Sequence, residues 1–192
     1  IVPLACGQPI PQGTNDWDRL LCGELVYTGM ERTPVPALRQ SLPHRGDSRP
    51  VACECFATSH DAWLLLGVLP EDTQSSTTAD HKPATRDAAR VRMARSMLLE
   101  PESFTFADAI EAATAIVESQ ILLIQDAMGA LIQNALPEDH VVLSGQGEIL
   151  ARRVFDYMNW NPQTVSLKDV LGAELSRVAP AHAVAMIAQQ IV

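Results

Sequence analysis

The stretch HVVLSGQGEILARRV, residues 140–154, decides the fold class. Its first residues are apolar and branched, as in a buried strand. They meet Ser144, Gly145, Gln146 and Gly147, and a helical pattern begins at Glu148. Glycines let a backbone turn sharply and approach a neighbour or a ligand closely. The helix that follows aims its unpaired N–H groups back at the turn. Strand, bare turn and helix in that order belong to an α/β protein. Whether the turn merely links two elements or also touches a ligand stays open, since it lacks the full spacing of a dinucleotide or P-loop fingerprint.

Downstream, TVSL (164–167) reads as a second strand, Lys168 to Gly172 as a turn or short helix, and APAHAVAMIAQQ (179–190) as a final helix with Pro180 in its first turn. Upstream, residues 107–134 predict a long helix with Ile110, Ala113, Val117, Ile121, Ile124, Met128 and Leu131 on one stripe. Residues 87–99 predict another, bearing Arg90, Arg92 and Arg95. IVPLACGQPI (1–10) offers two short strands around Cys6 and Gly7, and GELVYTGM (23–30) a third. GTNDWDRLL (13–21) between them reads as a helix capped by Thr14 or Asn15. The proline-rich segment 32–50 reads as a loop or extended connection. Segment 51–69 leaves strand and helix open, and 70–87 reads as a long exposed loop. Together these predict an α/β fold, a mixed sheet covered by helices and led by the IVPL, GQPI and ELVYTG strands.

Of 192 residues, 47% are hydrophobic and 19% charged, which is globular composition. The formal net charge of −9 argues against nucleic acid or an anionic membrane as the main partner, yet leaves room for a small anionic substrate held by clustered arginines. Cys6, Cys22, Cys53 and Cys55 match no secreted framework, so reduced thiols and a cytoplasmic location are expected. The apolar stretch 115–132 is broken by Glu118, Gln125 and Asp126, so no membrane span is expected.

Four groups of residues can carry chemistry. Thr28, Gly29, Arg32 and Thr33 place hydroxyls, bare backbone and a guanidinium where an anion can be gripped; a hairpin end is the simpler reading. Glu54 and Asp61 are candidate general bases, or solvated surface groups. Cys53, Cys55, His60, Asp80 and His81 include zinc-ligand types, but C-x-C without a second thiol pair is not metal-ligand spacing, and no metal is assigned. Arg86, Arg90, Arg92 and Arg95 lie near helical spacing and suit either an anion or a solvated face. Met30, Trp63 and Trp160 read as packing residues.

Five motifs occur here in an order that resembles one family: GELVYTGMERTPV, ECFATSHDAWLLLG, TADHKPAT, VVLSGQGEILARRV and SRVAPAHAVA. The chain resembles the hydantoinase A/oxoprolinase-like proteins linked to tetrahydromethanopterin-dependent C1 transfer, within the actin-like ATPase superfamily. The resemblance covers nearly all of it, with His81 standing where a glycine is usual. It implies the second subdomain of an actin-like (ribonuclease H-like) ATPase over 1–192, with an inserted region around 32–134. It implies ATP or a related nucleotide with Mg2+ in the full-length protein, approached by Ser144, Gly145, Gln146, Gly147 and Glu148. The phosphate loops would lie on an N-terminal subdomain that precedes Ile1. Through that missing partner's docking face the isolated chain is expected to dimerise.

The resemblance further implies methanofuran-type cofactor synthesis, in which an aminomethyl-furan diphosphate joins a tyramine derivative with loss of pyrophosphate. Thr28, Gly29, Arg32, Thr33, Asp80, Arg90, Arg92 and Arg95 would bind substrate, and Glu54 or Asp61 would act as base. A hydantoinase-like ATP-dependent hydrolase and a non-catalytic nucleotide-binding scaffold are the alternatives.

Overall fold

Prolines and glycines cut the first hundred residues into short elements, and long alanine-rich runs build helices after them. The computed structural model describes residues 1–132 and 140–191. In chain order the elements are β1 (Leu4–Ala5), β2 (Gln8–Pro9), α1 (Asp16–Leu21), α2 (Val35–Leu38), β3 (Ser41–His44), β4 (Asp47–Pro50), α3 (Ser59–Leu65) and α4 (Arg86–Ser96). A 3-10 turn at Pro101–Ser103 follows, then α5 (Phe106–Leu131), β5 (His140–Leu143), α6 (Glu148–Tyr157), β6 (Gln163–Ser166), α7 (Leu167–Leu171), α8 (Ala173–Arg177) and α9 (Ala179–Ile191). The chain is mixed α/β and forms two compact units, Tyr27–Leu123 and the combination of Ile1–Val26 with Ile124–Val192.

In unit Tyr27–Leu123, β3 and β4 pair antiparallel around Arg45 and Gly46, whose φ values of 52° and 83° make the left-handed turn that suits a twisted hairpin. The segment expected to be a loop or extended connection therefore carries α2 and a hairpin. Helix α3 packs on α4. The core is Val35, Leu42, Trp63, Leu64, Leu65, Met93, Phe104 and Ile116, all at most 1% exposed. Burying each such side chain contributes about 1.5–3 kcal/mol before entropy is subtracted.

Helix α5 starts with a reciprocal cap. Thr105 N–H donates to Asp108 Oδ2 at 2.8 Å, and Asp108 N–H donates to Thr105 Oγ1 at 3.2 Å. Arg45 reaches the same carboxylate, 3.2 Å away, and holds its pKa well below the usual carboxylate range. The helix buries Ala109, Ala112, Ala113, Ile116, Val117 and Gln120, whereas Ile110 is 39% exposed. The expected stripe holds at Ala113, Val117, Ile121 and Met128, which are all buried, and fails at Ile110; alanines at 109, 112 and 113 make the close approaches at the start of the helix. The expected end at Asn134 lies outside the described residues.

In the other unit, Cys6 and Gly7 turn the β1–β2 hairpin with φ of 50° and 75°. Asn15 caps α1 by accepting from Asp18 N–H at 3.0 Å. Glu24 is fully buried, and its carboxylate accepts from Gln12 N–H at 2.7 Å and Gly13 N–H at 3.3 Å. Those N–H groups, the Gln12 one foremost, lower its pKa. Strands β5 and β6 pair parallel, His140 opposite Gln163 through Leu143 opposite Ser166, with α6 as the crossover. Helix α7 packs on β6 and α8, and α8 on α9.

The single sheet expected from the sequence is not present among the described residues, where three separate two-stranded sheets occur. ELVYTG forms no strand. Its polar groups bond outside any ladder: the Glu24 carboxylate to the backbone N–H groups just named, and Thr28 and Gly29 to the Gln120 and Ser59 side chains. No helix among the described residues is long and apolar enough to cross a membrane. All four cysteines are free thiols.

Candidate functional site

Two polar clusters of the unit Tyr27–Leu123 meet at the start of α3. On one side lie Thr28, Gly29 and Thr33, with three residues the sequence did not single out for chemistry, Ser59, Trp63 and Gln120. Gln120 is fully buried; its amide nitrogen donates to Thr28 Oγ1 and Gly29 O, both at 2.8 Å, and its oxygen accepts from Trp63 Nε1 at 3.0 Å. Ser59 Oγ donates to Gly29 O at 2.7 Å and accepts from Thr33 N–H at 3.3 Å. Thr33 Oγ1 accepts from Gly29 N–H at 2.9 Å and lies 3.1 Å from Thr28 Oγ1. These groups use one another's hydrogen-bonding capacity and fix the backbone of the 28–33 loop. What the loop presents outward is the exposed Arg32.

On the other side lies a buried ion network. Arg92 is completely buried; its Nε donates to Asp61 Oδ1 at 2.8 Å and its Nη1 to Asp80 Oδ1 at 3.0 Å. Asp61 also accepts from Thr58 N–H at 2.9 Å, at the N-terminus of α3. Arg95, 46% exposed, stands 3.8 Å from Asp80 Oδ2, an oxygen that is buried and accepts no hydrogen bond. The two acids of this one guanidinium shift in opposite directions. Burial pushes the Asp61 carboxyl up, against the pull of Arg92 and the Thr58 N–H. Partial burial also works against Asp80, but the Lys82 N–H and Arg92 outweigh it and its pKa is lowered. The reason is depth, since Asp61 is 1% exposed and Asp80 16%.

The network anchors the 70–85 loop. Asp72 and Ala84 close its neck with paired backbone hydrogen bonds of 2.9 and 3.0 Å. Within it His81 has φ of 57°, the left-handed conformation that glycine adopts without strain and histidine tolerates better than most residues. That backbone requirement accounts physically for a position where glycine is at home. The His81 ring is exposed, with Nδ1 3.3 Å from Ser76 O.

The remaining candidates separate. Arg90 donates to Pro101 O at 2.5 Å and Phe104 O at 2.6 Å and lies over the Phe106 ring, so it braces the 3-10 turn. Glu54 is exposed between the exposed Cys53 and Cys55. No group of three or more metal-ligating side chains gathers among the described residues.

The glycine turn lies in the other unit. Gly145 has φ of 83°, and its N–H donates to Ser176 Oγ at 2.9 Å. Ser144 and Gln146 are exposed, and Gly147 has no atom within 4 Å of where a Cβ would stand. Glu148 turns inward: it accepts from Ser166 Oγ at 2.7 Å, Lys168 N–H at 3.3 Å and Ser176 Oγ at 3.4 Å. Its carboxylate ties α6 to β6, α7 and α8. The exposed side of the turn is therefore Ser144 and Gln146, with open space beside the Gly147 backbone. The Glu148 carboxylate is already engaged.

No family model matches the chain. It is similar to two proteins named (4-{4-[2-(gamma-L-glutamylamino)ethyl]phenoxymethyl}furan-2-yl)methanamine synthase. Over 190 residues it is 27% identical to that of Methanocaldococcus jannaschii, which covers 99% of this chain and 56% of that protein. Over 189 residues it is 24% identical to that of Methanococcus vannielii, covering 97% of this chain and 84% of that one. The chain thus spans little more than half the length of one relative and most of the other.

Proposed function

We propose that this chain is a large part of a synthase of methanofuran- or methylofuran-type cofactors, which joins an aminomethyl-furan diphosphate to the phenol of a tyramine derivative. The carrying observation is the match to two synthases of that product class over 99% and 97% of this chain. In the reaction the furfuryl C–O bond to diphosphate breaks, the phenolic oxygen bonds to the same carbon, and the phenolic proton passes to a base. Cationic side chains stabilise the departing pyrophosphate.

The geometry supports a division of roles. Arg32, presented by a fixed loop, and Arg95, at the rim of the ion network, are the guanidiniums open to the leaving group. Thr28, Gly29, Thr33, Asp80 and Arg92 hold those two in place, and Arg90 braces the 3-10 turn. Glu54 is the better base of the two acids, since it is exposed and Asp61 is spoken for by Arg92. A nucleotide on the Ser144–Gly147 side, with Mg2+, stays part of the proposal for the whole protein, as does membership of the actin-like ATPases. No ready-made cluster of carboxylates gathers among the described residues, so Mg2+ would take its ligands elsewhere, nucleotide phosphates included.

The test is condensation of aminomethyl-furan diphosphate with γ-glutamyltyramine by the chain extended to the length of the M. jannaschii relative, followed as pyrophosphate and ether product. Ether formation lost in Arg32→Ala and Arg95→Ala, with the fold intact, is the expected result. No ether from the extended protein would overturn the proposal.

A further inference from the structure

A concavity of about 200 Å³ lies beside the second half of α6, lined by Arg152, Phe155, Asp156, Trp160, Asn161 and Thr164 among others. We propose that it is a subsite for a zwitterionic α-amino acid head, the free end of a γ-glutamyl group; this rests on the synthase reading above for the identity of its owner. A drug-sized ligand takes roughly 300–1,000 Å³, so this space suits a fragment and not a nucleotide.

The lining says which fragment. Arg152 and Asp156 stand one turn apart on α6, so their Cβ atoms are neighbours on one face. No salt bridge joins them among the described residues, although both line the same hollow. A diphosphate would be repelled by Asp156, and a simple amine by Arg152. A group carrying a carboxylate and an ammonium on one carbon satisfies both. Thr164 Oγ1, 3.4 Å from Arg152 Nη1, steadies the guanidinium, and Asn161 adds an amide. Trp160 is held edge-on by the buried Phe155 at 5.1 Å between ring centres, leaving a flat wall for an aliphatic or aromatic stem. The γ-glutamyl group named in the relatives' product is such a head on such a stem.

Binding is measured by calorimetry on the 192-residue chain with three probes: γ-glutamyltyramine, L-glutamate and tyramine. The expected order is γ-glutamyltyramine tightest, L-glutamate next, and tyramine at least tenfold weaker than either. Arg152→Ala and Asp156→Asn should each weaken γ-glutamyltyramine about tenfold or more, while tyramine is unmoved. Both positions are exposed, so folding is not at stake. Equal binding of tyramine and γ-glutamyltyramine, or variants that bind like the parent, overturns the subsite. The two proposals fail separately. Head-group binding lost in the variants, with no ether made by the extended protein, keeps the subsite and removes the synthase. Ether made from tyramine as well as from γ-glutamyltyramine keeps the synthase and removes the subsite.

Discussion

Gln120 and Arg92 are polar side chains with no exposure at all, and the two differ in what their loss exposes. Gln120→Leu fills the space but removes the acceptor of Trp63 Nε1 and one of the donors to Thr28 Oγ1 and Gly29 O. Losing buried hydrogen bonds of this kind should cost the folded state about 1–3 kcal/mol. Hydrogen exchange in residues 28–33 should quicken with it. Arg92→Met leaves Asp61 buried without its cation and should cost about 3–5 kcal/mol in chemical denaturation. Arg32→Ala should move stability by less than about 0.5 kcal/mol while abolishing any pyrophosphate-releasing activity. Equal stability losses at 32 and 92 would show that both are structural. Sequence alone named Asp61, Asp80, Arg92 and Arg95 from residue type, and three-dimensional proximity does join them. It could not tell Arg92 from Arg95, because helical spacing says which residues share a face and not how deeply that face sinks.

Among elements, α5 adds acid sensitivity to its unit. Asp108 is held ionised by Arg45 and by the Thr105 groups. Its folded pKa lies below the unfolded value of about 3.9, so its contribution is complete above that value and is lost as pH falls through it toward the folded pKa. Stability should therefore be level from neutrality down to about pH 5 and drop below about pH 4. In Asp108→Asn the neutral plateau should fall and the acid slope should flatten; an unchanged slope would place the acid response elsewhere. Glycines give a second contrast. Alanine at Gly13 would put its Cβ 2.5 Å from the Arg19 nitrogen and disturb the Glu24 cradle, whereas at Gly145 it meets only Ser176 O at 4.0 Å but keeps a φ of 83°. Gly145→Ala should cost about 1–2 kcal/mol, and Gly13→Ala more, read as thermal midpoints. Helices α4, α6 and α9, both β5–β6 strands and the Cys6–Gly7 turn were legible because period and turn chemistry are local. The Arg45–Gly46 hairpin was missed among prolines, because Gly46 suits a positive φ but an arginine before it is not a residue that announces such a turn.

On the scale of the whole molecule, composition and the β5–α6–β6 run were enough for the α/β class, and not for the sheet. Which strand lies beside which is settled by side chains far apart in sequence, as Gln120 shows by capturing Thr28 and Gly29 from 92 and 91 residues away. The parallel pair β5–β6 has a further consequence. Parallel strands are ordinarily covered on both faces, yet here Val142 is 50% and Val165 37% exposed, and no third strand adjoins the pair among the described residues. Bare ladder edges beside an oily surface recruit further chains by strand addition. The colloidal behaviour of the purified chain should reflect this: its scattering mass should climb with concentration and storage time. A charge placed on that surface, Val142→Lys, should slow the climb several-fold without moving the unfolding midpoint by more than a degree or two. A scattering mass constant across concentrations would mean that the ladder is already sheathed.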